Sequence, residues 1–231
     1  MLRLVAFFAL VFVVHAVLSW LPVTRNILGA LGFFSFWAVA ILVSVVASRL
    51  GERWVARARI QARIRDLGAV DTPHNRGKLG HLLLADGRRR AARPHLEAAF
   101  AAEPERLDWA LGLGRLHLDL GEHEAAGPYF ARVVRDDASF GYGEAGLGLA
   151  AAALGLGRAR DALGALDDHD RRHGPNPRSA FLRGRALAAE GHRARAKEAY
   201  GEVFRLRSEL PAYQRGDFAA LAWKAFFGRL S

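Results

Sequence analysis

Residues 79–104, LGHLLLADGRRRAARPHLEAAFAAEP, share a pattern with residues 113–138, LGRLHLDLGEHEAAGPYFARVVRDDA, which begin 34 positions later. A Leu-Gly pair, a turn glycine, an alanine pair and a proline occupy the same offsets in both stretches. Two further units carry similar small and apolar residues. The turn glycines of the four units are 34, 36 and 34 residues apart, at Gly87, Gly121, Gly157 and Gly191. Such a period predicts helix pairs, each folded around a glycine turn and stacked on its neighbours.

This pattern resembles the tetratricopeptide repeat over Pro73 to about Ser208. The resemblance implies an all-α fold in which residues 71–209 form an α-solenoid of about four helix-turn-helix units. An Asp71-Thr72-Pro73 start predicts a capped first helix with proline in its first turn. Two features depart from the family pattern, because Trp109 lies one position early and the third and fourth units lack the closing proline.

The tail, residues 210–231, predicts a capping helix for the last repeat. Its apolar residues recur at helical spacing and form a stripe, which two aromatic residues make broader. These residues are Phe218, Leu221, Ala222, Trp223, Ala225, Phe226 and Phe227. Contact with a partner or a membrane is the alternative use of this stripe.

The resemblance also implies a binding face. In tetratricopeptide-repeat proteins the first helix of each unit lines a concave surface that usually binds a protein or peptide. Carrying that register over places the candidate partner-binding face on His81, Leu84, Asp108, Leu111, Arg115, Leu118, Asp119, Glu144, Arg178, Phe181 and Arg185. The alternative for each residue is an ordinary solvated helix face. The carboxylate clamp of the chaperone-binding class is not implied, because the corresponding positions are Gly77, His81, Gly112, Glu144 and Gly148.

Residues 1–48 predict a transmembrane helical hairpin. They contain Arg3, Arg25 and no acidic residue, and two apolar runs, 4–20 and 27–47, flank a short polar breaker. The second run would span ~31 Å as a helix, which matches the ~30 Å hydrocarbon core of a bilayer. The alternative for the first run is a cleaved signal peptide.

Residues 49–70 predict a basic linker helix that contacts anionic lipid. Arginines outnumber acids here, and the net charge of residues 49–65 is +5. The residues expected at the membrane surface are Arg49, Arg53, Trp54, Arg57, Arg59, Arg63 and Arg65. The excess of arginine beside the second run predicts an integral protein of the bacterial inner membrane with both termini in the cytoplasm. A solenoid facing the periplasm, as an assembly factor, is the alternative.

The sequence offers little chemistry. The chain has no cysteine and no recognisable nucleophile motif, so no enzyme activity and no cofactor are predicted. The GxGxxG match at residues 141–146 lacks a preceding strand pattern and is interpreted as a coincidence. Metal binding by the histidines and acids of residues 167–173, or by His117, Glu122 and His123, is a minor alternative.

The overall net charge of +10 does not point to nucleic acid, because only +3 remains on the last 166 residues. The sequence therefore predicts a membrane-tethered scaffold whose groove binds a protein or peptide partner. It also leaves a homo-oligomer open.

Overall fold

The computed structural model describes residues 2–21, 24 and 34–230, and every regular element among them is a helix. The chain divides into two compact units, residues 1–63 and 64–231. The prediction of an all-α chain that contains a repeat solenoid is confirmed.

The first unit contains helix α1, Leu2–Trp20, and most of helix α2, Phe34–Gly68. The two helices pack through a small apolar cluster around Val11, Val39 and Ala40. The polar breaker and the start of the second apolar run, at residues 22–23 and 25–33, lie outside the described residues.

The prediction of a transmembrane hairpin, and with it an integral membrane location with both termini in the cytoplasm, is wrong. Among the described residues, none of the helices has both the length and the apolar character that crossing a bilayer requires. Helix α2 continues beyond its apolar part as a basic helix.

The second unit is a series of helix pairs. Helices α3 and α4 form the first repeat, α5 and α6 the second, α7 and α8 the third, and α9 and α10 the fourth. Their bounds are α3 Pro73–Ala85, α4 Arg89–Ala102, α5 Leu107–Leu120, α6 His123–Asp136, α7 Glu144–Gly155, α8 Ala159–His173, α9 Pro177–Ala189 and α10 Arg193–Glu209. A 3₁₀ turn, Phe140–Gly143, precedes α7, and the short α11, Ala212–Arg215, precedes the last helix α12, Ala219–Leu230.

The four predicted turns share one geometry. Gly87, Gly121, Gly157 and Gly191 all have a φ between 72° and 81°, a conformation that other residues rarely adopt. In each turn the next backbone N–H donates to the carbonyl five residues earlier, for example Arg88 to Leu83 at 2.8 Å. This bonding satisfies carbonyls at the end of each first helix and reverses the chain at the same point in every repeat.

The repeats stack through pairs of one large and one small residue. Phe130 of α6 is 1% exposed and its ring lies between Gly114 of α5 and Gly148 of α7. A Cβ atom at either glycine would come within 2.8 Å or 2.5 Å of that ring. Such close approach lets three helices share one buried side chain, and the same arrangement recurs where Gly184 meets Tyr200.

The last helix covers the end of the fourth repeat with small residues. Ala222 and Ala225 of α12 are buried, and Ala225 packs in the cluster that contains Tyr200 and Val203. The aromatic residues face outward, since Trp223 and Phe227 are mostly exposed. The cap therefore uses the alanines of the predicted stripe more than its aromatic rings.

Candidate functional site

The candidate binding face follows the first helices of the repeats, α3, α5, α7 and α9, in the second unit. Residues on one side of a helix recur after three, four and seven positions. Leu111, Arg115 and Leu118 therefore share a face of α5, and a second such face is built on α9. It carries Arg178, Phe181 and Arg185.

One carboxylate joins three of these helices. Glu144 opens α7 and accepts a hydrogen bond from the guanidinium of Arg115 on α5. The guanidinium of Arg178 at the start of α9 lies 3.6 Å from the same carboxylate. The side chains are 30–43% exposed, so solvent screens the pairs only in part. One acid thus holds two cations, and the trio keeps a net charge of +1.

The Arg115 guanidinium is not fully satisfied. Its Nε atom is buried and has no hydrogen-bond partner among the described residues. A buried donor without a partner is unfavourable and is usually found where another group completes the bonding. The pair with Glu144 therefore leaves this buried Nε–H donor of Arg115 unused.

The two predicted carboxylates of the face in the first two repeats, Asp108 and Asp119, pair with arginines of the chain. The guanidinium of Arg106 donates to Asp108 at 3.0 Å and lies over the Trp109 ring, 4.6 Å from its centroid. Asp119 accepts from Arg89 of α4 at 3.2 Å. These pairs compensate the two carboxylates at this end of the face.

His81 is part of the packing between the first two repeats. Its Nε2–H donates to the backbone carbonyl of Asp108 at 3.1 Å, and its ring lies 5.7 Å from that of Trp109. Burial lowers the pKa of His81 below its ordinary value, although the hydrogen bond to Asp108 opposes that shift. A neutral, packed imidazole stabilises the inter-repeat contact rather than presenting a charge to a partner.

The predicted apolar residues differ in exposure. Leu111 is only 5% exposed and belongs to the core of the second and third repeats, so it does not line the surface. Leu84, Leu118 and Phe181 are half-buried and pack partly on the core. The apolar contact area open to a partner is therefore narrower than the sequence pattern indicates.

Arg185 differs from the other charged residues of the face. It is exposed and forms no ion pair with a described residue. It lies one turn beyond Phe181 on α9. Together with Arg178 these residues make the end of the face at the fourth repeat basic and partly apolar.

Tyr142 is a surface residue that no pattern in the sequence indicated. It is 96% exposed and has a φ of 57°, between Gly141 and Gly143, which also have positive φ values. A Cβ atom on Gly141 would lie 3.1 Å from Leu111, so this turn covers Leu111.

The glycine pair of the GxGxxG match thus serves a left-handed turn. No strand is found within residues 34–230. One signal of this turn is present in the sequence. The spacing between Gly121 and Gly157 is 36 residues instead of 34, and the two additional residues lengthen the connection between α6 and α7 that contains Tyr142.

Three of the histidines considered as metal ligands have other partners. His117 Nδ1 lies 2.6 Å from Glu122, and the His117 ring stacks on that of Tyr129. His169 and His173 each contact a backbone carbonyl, at 3.1 Å. In the part of the chain that the structure describes, no three such side chains come together in a way that would hold a metal ion.

The predicted membrane-surface residues lie on α2. Arg49, Trp54, Arg59, Arg63 and Arg65 are exposed. The side chains of Arg53 and Arg57 lie outside the described residues. Contact of these residues with anionic lipid stays a prediction.

Comparisons with known proteins agree with the repeat architecture. The family profile of a tetratricopeptide repeat matches residues 78–141. A thermophilic TPR protein from Thermus thermophilus superposes with a TM-score of 0.52 and 25% identity, over 58% of this chain and 74% of that one.

A tetratricopeptide repeat protein from Parabacteroides merdae superposes with a TM-score of 0.51 and 12% identity. The match covers 90% of this chain and 84% of that chain, and at this identity it concerns the fold alone. No curated protein matches the sequence significantly. The four helix pairs and their turn geometry form the fold that these two solved structures share, and residues 78–141 match the tetratricopeptide-repeat profile.

Proposed function

We propose that the protein is a non-catalytic scaffold that binds a protein or peptide segment along the first helices of its repeats. Tetratricopeptide repeats generally mediate protein–protein interaction. The observation that supports the site most directly is the face of α9, where exposed Arg185 adjoins half-buried Phe181. Arginine and aromatic residues supply much of the binding energy at protein interfaces.

The charges of the face favour a partner with an acidic group. Glu144 compensates only one of the two arginines beside it, and Arg185 adds a further positive charge without an ion pair among the described residues. An acidic side chain of the partner that lies near Arg185 would complete the pairing at this end. Opposite charges arranged in this way raise association rates and select among partners.

Arg185 provides a cleaner test than Arg115. Reversing the charge of Arg115 would place two carboxylates together, because Arg115 binds Glu144, and the change would destabilise the fold as well as the site. Arg185→Glu removes a side chain that forms no described ion pair. The matched control is Arg193→Glu, since Arg193 is also exposed but begins the second helix of the same repeat.

The experiment is chemical crosslinking of the tagged full chain in cells, followed by mass spectrometry of captured proteins. We expect a defined protein whose capture falls at least about tenfold in Arg185→Glu, as for a central arginine of an interface, and is unchanged in Arg193→Glu. Equal capture by the two variants would contradict the assignment of the site. Catalytic activity or stoichiometric metal in the purified protein would contradict the non-catalytic function.

A further inference from the structure

His169 of α8 lies between α7 and α9, two of the helices that carry the candidate binding face, which we also call the candidate groove. It is 4% exposed, and its Nδ1 atom lies 3.1 Å from the carbonyl oxygen of Gly143, at the start of α7. Its Nε2 atom lies 3.0 Å from the side-chain nitrogen of Asn176, the N-cap residue of α9. One imidazole thus links the beginnings of the first helices of the third and fourth repeats.

The hydrogen bonds define the protonation state of this imidazole. A carbonyl oxygen only accepts, so Nδ1 of His169 carries the hydrogen. The Asn176 amide is oriented by its own cap, because its Oδ1 accepts from the backbone N–H groups of Arg178 at 2.9 Å and Ser179 at 3.0 Å. Its NH₂ group therefore faces Nε2, which accepts as the bare nitrogen of a neutral ring.

The surroundings disfavour a positive charge on His169. Burial is the main influence and lowers the pKa of His169; Asp170 and the hydrogen bond to Gly143 oppose that shift, and His173 adds to it. The guanidinium of Arg183 on α9 donates a hydrogen bond to the carboxylate of Asp170 at 2.9 Å and partly neutralises its charge. The charged and titratable groups nearest the ring belong to its own helix: Asp168, Asp170, Arg172 and His173. Among the described residues, the other elements that line this site bring no charge, since α6, the following loop and α7 contribute Val134, Ala138, Gly146 and Leu149.

Both contacts lead to residues of the candidate groove. Gly143 directly precedes Glu144, and Asn176 lies two residues before Arg178. The carboxylate of Glu144 and the guanidinium of Arg178 lie 3.6 Å apart. The position of the imidazole therefore fixes the two backbone segments that carry this ion pair.

We propose that neutral His169 is a positioning residue that holds the register between α7 and α9, and that its protonation loosens the start of α9 and makes the groove sensitive to acid. The consequence for binding rests on the proposed function, whereas the structural switch itself does not.

Protonation places two donors against each other. A hydrogen on Nε2 of His169 would face the NH₂ group of Asn176, and neither group accepts. Rotating the amide would give Nε2 an acceptor, but the NH₂ group would then face the N–H groups of Arg178 and Ser179. The first arrangement loses the hydrogen bond between Asn176 and His169, and the second loses both hydrogen bonds that Oδ1 of Asn176 accepts at the N-terminus of α9.

The switch is measured by hydrogen exchange at the amides of Arg178 and Ser179 in the full chain, without any partner. After correction for the intrinsic pH dependence of exchange, we expect protection to be about tenfold lower at pH 5 than at pH 7.5, as for the loss of one N-cap interaction of typical strength. In His169→Gln, whose amide does not titrate, this pH dependence should disappear. In the matched control His173→Gln it should remain.

A second variant, Asn176→Asp, tests the proposal even if the glutamine of His169→Gln does not fit its site. An aspartate caps the helix equally well and accepts a hydrogen bond from a protonated imidazole, so protection at Arg178 and Ser179 should now be retained or rise toward pH 5. Wild-type protection that does not change with pH, or an unaltered fall in Asn176→Asp, would overturn the proposal. Since no partner takes part, these results are independent of whether the groove binds a protein.

Discussion

Gly148→Ala should destabilise the solenoid through a single methyl group. Gly148 lies on α7, and a Cβ atom there would come within 2.5 Å of the ring of Phe130. Carbon atoms pack favourably at about 3.5–4.0 Å, so the methyl group would overlap the ring by about 1 Å. The ring has no room to retreat, because it also lies against Gly114 and is 1% exposed.

Two opposing contributions set the magnitude. Inserting a methyl group into a well-packed core typically lowers the free energy of unfolding by about 1–3 kcal/mol, and this rigid site belongs at the upper end. Replacing glycine by alanine in a helix returns about 0.5–1 kcal/mol. We therefore expect Gly148→Ala to lower the free energy of unfolding by about 2 kcal/mol.

The assay is urea denaturation followed by circular dichroism, with Gly164→Ala as the matched control. Gly164 lies in helix α8, and a Cβ atom there would have no neighbour within 4 Å. The same substitution should therefore raise stability at Gly164 by about 0.5–1 kcal/mol and lower it at Gly148. A Gly148→Ala protein as stable as the wild type would refute the large-small packing between repeats.

Two further predictions concern the turns and the titration of the core. Gly121→Ala should lower stability by about 1–2 kcal/mol, because Gly121 has a φ of 78° and alanine is strained there; an unchanged urea midpoint would contradict the turn geometry. For His81, burial lowers the folded pKa relative to about 6.5 in the unfolded chain. The unfolded state then binds more protons, so stability should fall as pH drops below about 6.5. The urea midpoint of His81→Gln should therefore decrease less between pH 7.5 and pH 5 than that of the wild type. An equal decrease in both proteins would contradict the role given to His81.

The repeat architecture was accessible from the sequence because backbone and packing constraints leave a local signature. Gly87 and Gly121 stand where φ is positive, and small residues such as Gly114 stand opposite large ones such as Phe130. Each constraint restricts the residue types at one position and recurs with the repeat. A period is then readable without any knowledge of the contacts.

The details of the groove were not accessible in the same way. The pairing of Arg115 with Glu144 spans 29 residues and depends on side-chain rotamers that no local pattern encodes. Leu111 has the spacing of a surface residue but is covered by the turn around Tyr142, which the third repeat adds. The membrane prediction was wrong because it rested on the composition of the apolar runs, whereas no described helix has both the length and the apolar character that crossing a bilayer requires.

Site-specific photo-crosslinking from Tyr142 tests the binding face most directly. A photoreactive phenylalanine replaces Tyr142, which is 96% exposed beside the groove, or Tyr213, which is 79% exposed and lies beyond the fourth repeat. We expect the probe at position 142 to capture a defined protein and the probe at position 213 not to capture it. Arg185→Glu should lower the yield from position 142. Equal capture of the same protein from both positions, or capture from position 213 alone, would contradict this expectation.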